Sequence, residues 1–280
     1  MTRTAGSKGW RTRAARIAAA LALGAPVGAM PARAGPAECR PGAARTDLLD
    51  GIGLRGEIRL ASGARAMLDS LRWPDAPEAA EAARAWLDAR RGDGLTVIPR
   101  GQPDRWGRER ADIEVTDSDI DLAGGLIGAG LAFADAGEAD SLCRPALRTV
   151  EEAARAQRLG LWRDPVLAAT DGPGLRALAG RFAVVEGRIR HVGERSARAY
   201  LDFAARGGDG LTVTVSKRTW RMMRAHGLSA ASLEGRRVRV RGILEVWRGP
   251  TLEAAADALE VLSEPDRPEA GPDGERGLRR

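Results

Sequence analysis

Asp104-Arg105-Trp106-Gly107-Arg108, with Ala111 after it, is a polar turn that leads into a strand pattern from Arg110 to Val115. Next comes Gly125-Leu126-Ile127-Gly128-Ala129-Gly130-Leu131-Ala132, a helical stretch that breaks into a short strand. Glu151-x-x-Ala154-Arg155 then runs on to Gly160-Leu161-Trp162, a helix end. Working outward, Leu95 to Ile98 pairs with Arg110 to Val115 across the Asp104 turn. Upstream, Pro77 opens a helix through Arg91, since proline suits the first helical position, and Gly92 stops it. Leu54 to Leu60 and Ala64 to Leu71 flank Ser62-Gly63 and read as a hairpin. Downstream, Ile120 to Gly130 is helical, Leu131 to Ala134 a short strand, and Pro145 to Leu159 a third helix ended by Gly160.

Beyond Trp162-Arg163-Asp164-Pro165 the texture changes. Residues 166–180 read as a linker, punctuated by Gly172-Pro173-Gly174, with a short helix around Leu175 to Leu178. From Arg181 β patterns dominate: Phe182 to Val192, Arg198 to Phe203 and Leu211 to Ser216, a helical Thr219 to Ala225, then Arg237 to Val246 and Thr251 to Leu262. Five strands with one helix between the third and fourth predict a second, small barrel of the oligonucleotide-binding (OB) type over residues 181–264. The tail, 265–280, is rich in Pro, Gly and charge and reads as disordered.

With 280 residues, 44% apolar and 29% charged, the chain has enough apolar material for two small cores, and wholesale disorder is excluded. The net charge of +6 suggests an anionic partner until its position is checked. Arg3, Lys8, Arg11, Arg13, Arg16 and Arg33 lie in the first 34 residues, which hold no acid, and carry all of it. An apolar run from Ile17 to Met30 and the small-x-small site Ala32-Arg33-Ala34 complete the pattern of a secretory signal peptide over 1–34. The expected location is periplasmic or secreted. The run, about 14 residues and broken by Pro26, is short of the ~20 that a membrane span needs. Export places Cys39 and Cys143 in an oxidising compartment, where a disulfide is favoured over free thiols. With His191 and His226 widely spaced, these cysteines match no zinc pattern.

Taken together and in order, the Asp104 turn, the Gly125 to Ala132 segment and the Glu151 to Trp162 helix resemble the staphylococcal-nuclease-like (thermonuclease) family. The resemblance runs from about residue 47 to 165, in a domain expected over 39–165. It implies an α+β, mainly β fold: a five-stranded OB-type barrel with three helices, here followed by the second small β-barrel. It also implies hydrolysis of DNA and RNA phosphodiesters with calcium held by carboxylates, a glutamate that activates water, and two arginines on the phosphate. Arg108 matches the second arginine. The first belongs to a motif that reads roughly R-L-x-G-I-D-A-P-E. One register through the hairpin places Met67 at that arginine, Arg72 at the metal aspartate and Asp75 at the glutamate, and it preserves the strand alternation. Another honours the literal Asp75-Ala76-Pro77-Glu78, with Ser70 at the arginine and Trp73-Pro74 at the Gly-Ile. Both lose the first arginine. The aspartate that precedes the first hairpin strand falls near Gly56. The implied catalytic candidates are thus Arg108, Asp75 and Glu78, with calcium as cofactor if the chemistry survives and activity expected to be weak or lost. Asp75 and Glu78 also suit a plain role at the positive end of a helix dipole.

Charge separates the two halves. Residues 35–166 hold 18 arginines and 23 acids, a net of −5, a poor surface for a polyanion. Asp112, Glu114, Asp117, Asp119 and Asp121 form an acidic edge whose spacing is not an EF-hand loop. Residues 167–280 hold 20 basic and 15 acidic groups, a net of +5. Lys217, Arg221 and Arg224 share a helix face, and Arg237, Arg239 and Arg241 a strand face. These are the candidate nucleic-acid-binding residues, with Trp220, Trp247, Tyr200 and Phe203 as the available stacking aromatics. The alternative to a nuclease is therefore a non-catalytic OB-fold scaffold that binds a protein partner or nucleic acid.

Overall fold

The computed structural model describes residues 39–118, 120–137 and 141–263. The expected export segment 1–34, the tail 265–280 and Asp119 lie outside the described residues. Five strands close the first barrel: β1 (Arg45–Ile52), β2 (Ile58–Leu60), β3 (Arg65–Leu68), β5 (Gly94–Arg100) and β6 (Glu109–Val115), in the order β1-β2-β3-β6-β5. The hairpin is as expected, with Ile58 opposite Ala66 and both buried, while Arg59 and Arg65 pair on the exposed face. β3 runs parallel to β6 and every other ladder is antiparallel. Alternating residues, among them Leu60, Leu68, Leu95, Val97, Ala111 and Ile113, fill the interior.

Helix α1 (Pro77–Asp88) buries Ala83 and Leu87 in this core. Helix α2 (Leu122–Gly128) starts on Asp121, whose carboxylate accepts the N–H groups of Ala123 and Gly124. Helix α3 (Ala146–Ala156) follows β7 (Phe133–Ala134), which pairs with β4 (Leu71–Arg72). The separated glycines of the deciding motifs meet in space. The Gly160 backbone lies against Gly130 so closely that a Cβ on either would come within 2.2–2.3 Å of a carbonyl oxygen of the other segment. The Leu161 N–H also donates to Gly130 O at 2.8 Å. That contact joins the end of α3, through the 3-10 turn Gly160–Trp162, to the end of α2. A Cys39–Cys143 disulfide ties the start of the barrel to the segment before α3. A loop of this length is worth roughly 4–5 kcal/mol on the chain-entropy model.

The second half is an eight-stranded sheet. Its path is β10 (His191–Glu194), β11 (Arg198–Asp202), β12 (Thr212–Ser216), β14 (Pro250–Glu253), β13 (Arg237–Val246), β9 (Phe182–Arg188) and β8 (Leu167–Ala168), with β15 (Leu259–Val261) on β13. As β3 does with β6 in the barrel, β12 pairs in parallel with β14, and β8 also pairs in parallel with β9. No ladder closes the path. Its ends are β10 and β8, and the chain runs from β9, the neighbour of β8, to β10 through Ile189-Arg190. Residues 166–180, expected as a linker, carry β8, which pairs with β9, and helix α4 (Gly172–Ala177), whose Leu175 is fully buried in the second core. Helix α5 (Lys217–Ala225) and the short α6 (Ala230–Leu233) cross from β12 to β13. Among the described residues no helix is long and apolar enough to cross a membrane.

A third cluster belongs to both halves. Trp162 and Ala154 pack with Phe182 and Val184, and Phe133 meets Trp162 edge-on at 5.5 Å and Phe182 at 5.2 Å. Beside it the buried Arg241 guanidinium reaches Glu151 at 2.7 Å and Ala134 O at 2.8 Å, while Glu151 accepts the Ala134 N–H. Arg148 donates to Ala134 O and Asp257 O, and Asp257 accepts the Leu142 N–H. Burial pushes the Arg148 guanidinium down and the Asp135 carboxyl up from their ordinary values at this junction.

Candidate functional site at the mouth of the first barrel

One carboxylate builds the Asp104–Arg108 turn. Asp104 Oδ1 accepts the backbone N–H groups of Trp106 at 2.9 Å and Arg108 at 3.0 Å, and Oδ2 takes Arg108 Nε at 2.8 Å. Partial burial acts to raise the Asp104 carboxyl, but these bonds outweigh it and hold the group below its ordinary value. Arg108 is therefore positioned and neutralised by the same side chain. Its other neighbours are Glu57, at 4.0 Å, and the Trp106 ring, at 4.8 Å. Glu57 also lies 3.9 Å from Arg65, which donates to Trp106 O, and Arg105 stacks 4.0 Å from the same ring. Glu57 and Arg65 escaped the sequence reading. The signal for Glu57 is its place directly after Gly56, where the family aspartate falls. Arg65 lies two residues before Met67 on β3, on the same side of the strand.

Gly56, near which the resemblance implies an aspartate, leaves no room for a side chain. Its φ is +75°, and a Cβ there would come within 2.2 Å of the Trp73 ring. The indole fills the space that a side chain at 56 would need, and it packs onto the barrel core. Neither residue proposed at the first arginine's place supplies a charge: Met67 is half-buried, and Ser70 is buried, its hydroxyl bound to Asp69 and to the Cys143 N–H.

Asp75 and Glu78 are not brought to Arg108. Asp75 Oδ2 accepts the Phe182 N–H at 2.8 Å and lies 3.7 Å from Arg72, so it serves the junction between the halves. Glu78 stands exposed in the first turn of α1, where the helix dipole favours an acid. Among the described residues no group of three or more His, Cys, Asp or Glu side chains is placed to hold a metal ion. Calcium, which the family resemblance implies, does not fit this donor set, because Glu57 and Asp104 face arginines, Asp75 accepts the Phe182 N–H, and Glu78 stands apart from them on α1. Two members of the acidic edge, Asp112 and Asp121, are engaged likewise. Arg100 holds Asp112, and Arg144 holds Asp121 through paired bonds and lies 4.0 Å from Asp112. The hydrogen bonds that Arg144 donates to Asp121 raise the guanidinium above its ordinary value.

Residues 75–164 match the family model described as staphylococcal nuclease homologue. The first half has a staphylococcal-nuclease-like fold. The extended Tudor domain of Tudor-SN (p100) from Drosophila melanogaster is similar at 18% identity and a TM-score of 0.31, over 35% of this chain and 47% of that one. The chain thus spans about half the length of that solved relative. No curated protein matches the chain.

Beside this nuclease-like half, the second half corrects the expected strand stripe. Arg241 is 2% exposed and bound to Glu151, and Arg239 is 5% exposed and clamped between Glu186 and Glu260. Arg237 pairs with Glu186 at 2.7 Å. Arg241 ties the sheet to the nuclease-like barrel and Arg239 ties its own strands to one another, so both are buried away from a polyanion, while Arg237 is exposed but paired with Glu186. On α5, Lys217, Arg221 and Arg224 are exposed, with Glu194 3.9 Å from Lys217. Trp220 and Phe203 are buried in the second core, so of the four aromatics considered for stacking only the exposed Trp247 and the half-buried Tyr200 reach the surface.

Proposed function

We propose that this protein is an exported binding protein on a nuclease-like scaffold, without calcium-dependent nuclease activity. One observation carries the reading: Trp73 lies on Gly56, in the space a metal-binding carboxylate there would need. The absence of an arginine at Met67 or Ser70 and the neutralisation of Arg108 by Asp104 support it. Removing one group that stabilises charge in a transition state costs about 100- to 1000-fold in rate, and here several are missing. The basic, acid-free start of the chain and the Cys39–Cys143 disulfide support export to the periplasm or beyond. The second reading, a weak phosphodiesterase, draws on Glu57, which lies within 4.0 Å of both Arg65 and Arg108.

Digestion of single-stranded DNA and RNA by the full chain, in calcium and in chelator, separates the two. The expected result is no cleavage in either, with a folded circular-dichroism spectrum. Calcium-dependent cleavage abolished by Arg108→Ala would establish the enzyme instead.

A further inference from the structure

The second half carries a groove of about 670 Å³ that none of the candidate residues of the nuclease-like half touches. It lies beside β10 and the loop from β11 to β12. Arg190 and Arg195 line it from the two ends of β10, Arg206 from the loop, and His191 lies between the first two in sequence. All four are exposed. Among the described residues the three guanidinium groups have no ion-pair partner, which sets them apart from Arg108, Arg239 and Arg241.

The neighbouring acids are already engaged. Asp202, the one acid in the lining, accepts the Thr212 hydroxyl at 2.8 Å. Glu194 faces Lys217, and Glu234 accepts the Val192 N–H at 2.9 Å and meets His191 Nδ1 at 3.1 Å. The Val192 N–H, then His191, hold the Glu234 carboxyl below its ordinary value. Asp209, on the groove loop, is bound by both Arg176 nitrogens at 2.6 Å. That pair fastens the loop to α4, and the Leu211 N–H fastens its far end to Ala169 O at 2.7 Å. The groove is therefore braced before any ligand arrives, by the segment that the sequence marks as a linker.

We propose that this groove binds a small ligand carrying two or more phosphoryl groups. Arginine forks match phosphate oxygens, three of them converge here, and the volume is in the range of small-molecule sites, roughly 300–1000 Å³. A nucleic-acid strand fits less well, because no Phe, Tyr or Trp lines the groove to stack a base and His191 is the one ring in it. The assignment does not depend on whether the nuclease-like half cleaves.

Isothermal titration of the full chain with inorganic pyrophosphate, and separately with an eight-residue thymidine oligonucleotide, tests it. Saturable pyrophosphate binding is expected, weakened about tenfold or more by Arg195→Ala or Arg206→Ala and unchanged by Arg158→Ala, which lies outside the groove. The side chains replaced are exposed, and unchanged circular dichroism confirms that the variants fold. Three results would overturn the proposal: no saturable pyrophosphate binding at low salt, equal weakening by Arg158→Ala, or oligonucleotide binding lost in the groove variants without any pyrophosphate binding.

Discussion

The mouth of the first barrel and the groove beside β10 are both rich in arginine, and they differ in what the arginines face. Arg108 is wrapped by Asp104 and shares Glu57 with Arg65. Arg190, Arg195 and Arg206 line an open groove whose one lining acid is bound to a threonine. The junction between the halves gives a third outcome, in which Arg239 and Arg241 are buried and serve as structural ties. Arginines that look alike along the chain thus have three different uses. Whether each is available depends on the carboxylate it meets across the fold.

The largest expected effect comes from turning a structural arginine into an unpaired site. Arg241→Met removes the cation hydrogen-bonded to buried Glu151, leaving only Arg148 at 3.8 Å, and should cost about 3–5 kcal/mol in urea unfolding of the whole chain. Adding Glu151→Leu should recover part of that loss, because it removes the carboxylate left without Arg241 but leaves the buried Ala134 N–H without its acceptor. Failure of the double variant to recover would mean that the junction depends on packing around Phe133, Trp162 and Phe182 more than on charge. A smaller loss, about 1–3 kcal/mol, is expected for Gly56→Ala, which adds a methyl where the Trp73 ring lies and forces a side chain into a left-handed backbone. An unchanged unfolding midpoint would show that Trp73 moves aside freely and that the pocket is not occupied.

The smallest effect is a pH dependence at Asp135. Burial raises its folded-state pKa above the ordinary value of 3.8, with the Gly137 N–H and nearby arginines opposing. Between those two values the native state holds more protons than the unfolded chain, so stability falls as pH rises through that window and levels off above it. Asp135→Asn should therefore stabilise the protein at neutral pH, with the gain fading as pH drops toward the ordinary aspartate range. Thermal unfolding of both proteins against pH checks this, and a gain that grows toward acid would contradict the sign.

Much of the fold was legible in the chain. The Ser62-Gly63 hairpin, the Pro77 helix, the Leu95 and Arg110 strands and the three glycine-marked helix ends lie where local chemistry puts them, because each is set by turn residues and short-range alternation. β1 was missed: Arg45–Ile52 buries only Leu49 and Gly51 outright, and its pairing with β5 and β2 is decided across the barrel. The same limit hid Glu57, whose meeting with Arg108 is a tertiary event, and it made Arg239 and Arg241 look like a free strand face. β8 was hidden in the segment that reads as a linker, while the short helix expected around Leu175 to Leu178 is present as α4 but starts earlier, on the Gly-Pro-Gly punctuation, capped by Asp171. The Trp73 contact was half legible: the resemblance puts an aspartate near Gly56, where the sequence has no carboxylate, but only the fold shows an indole lying there.

Calcium titration of the full chain by calorimetry tests the central claim most directly. The account predicts no saturable heat and an unchanged melting temperature in calcium and in chelator. Stoichiometric calcium binding that is lost in Glu57→Gln or Asp75→Asn would contradict it and return the first barrel to the working nucleases.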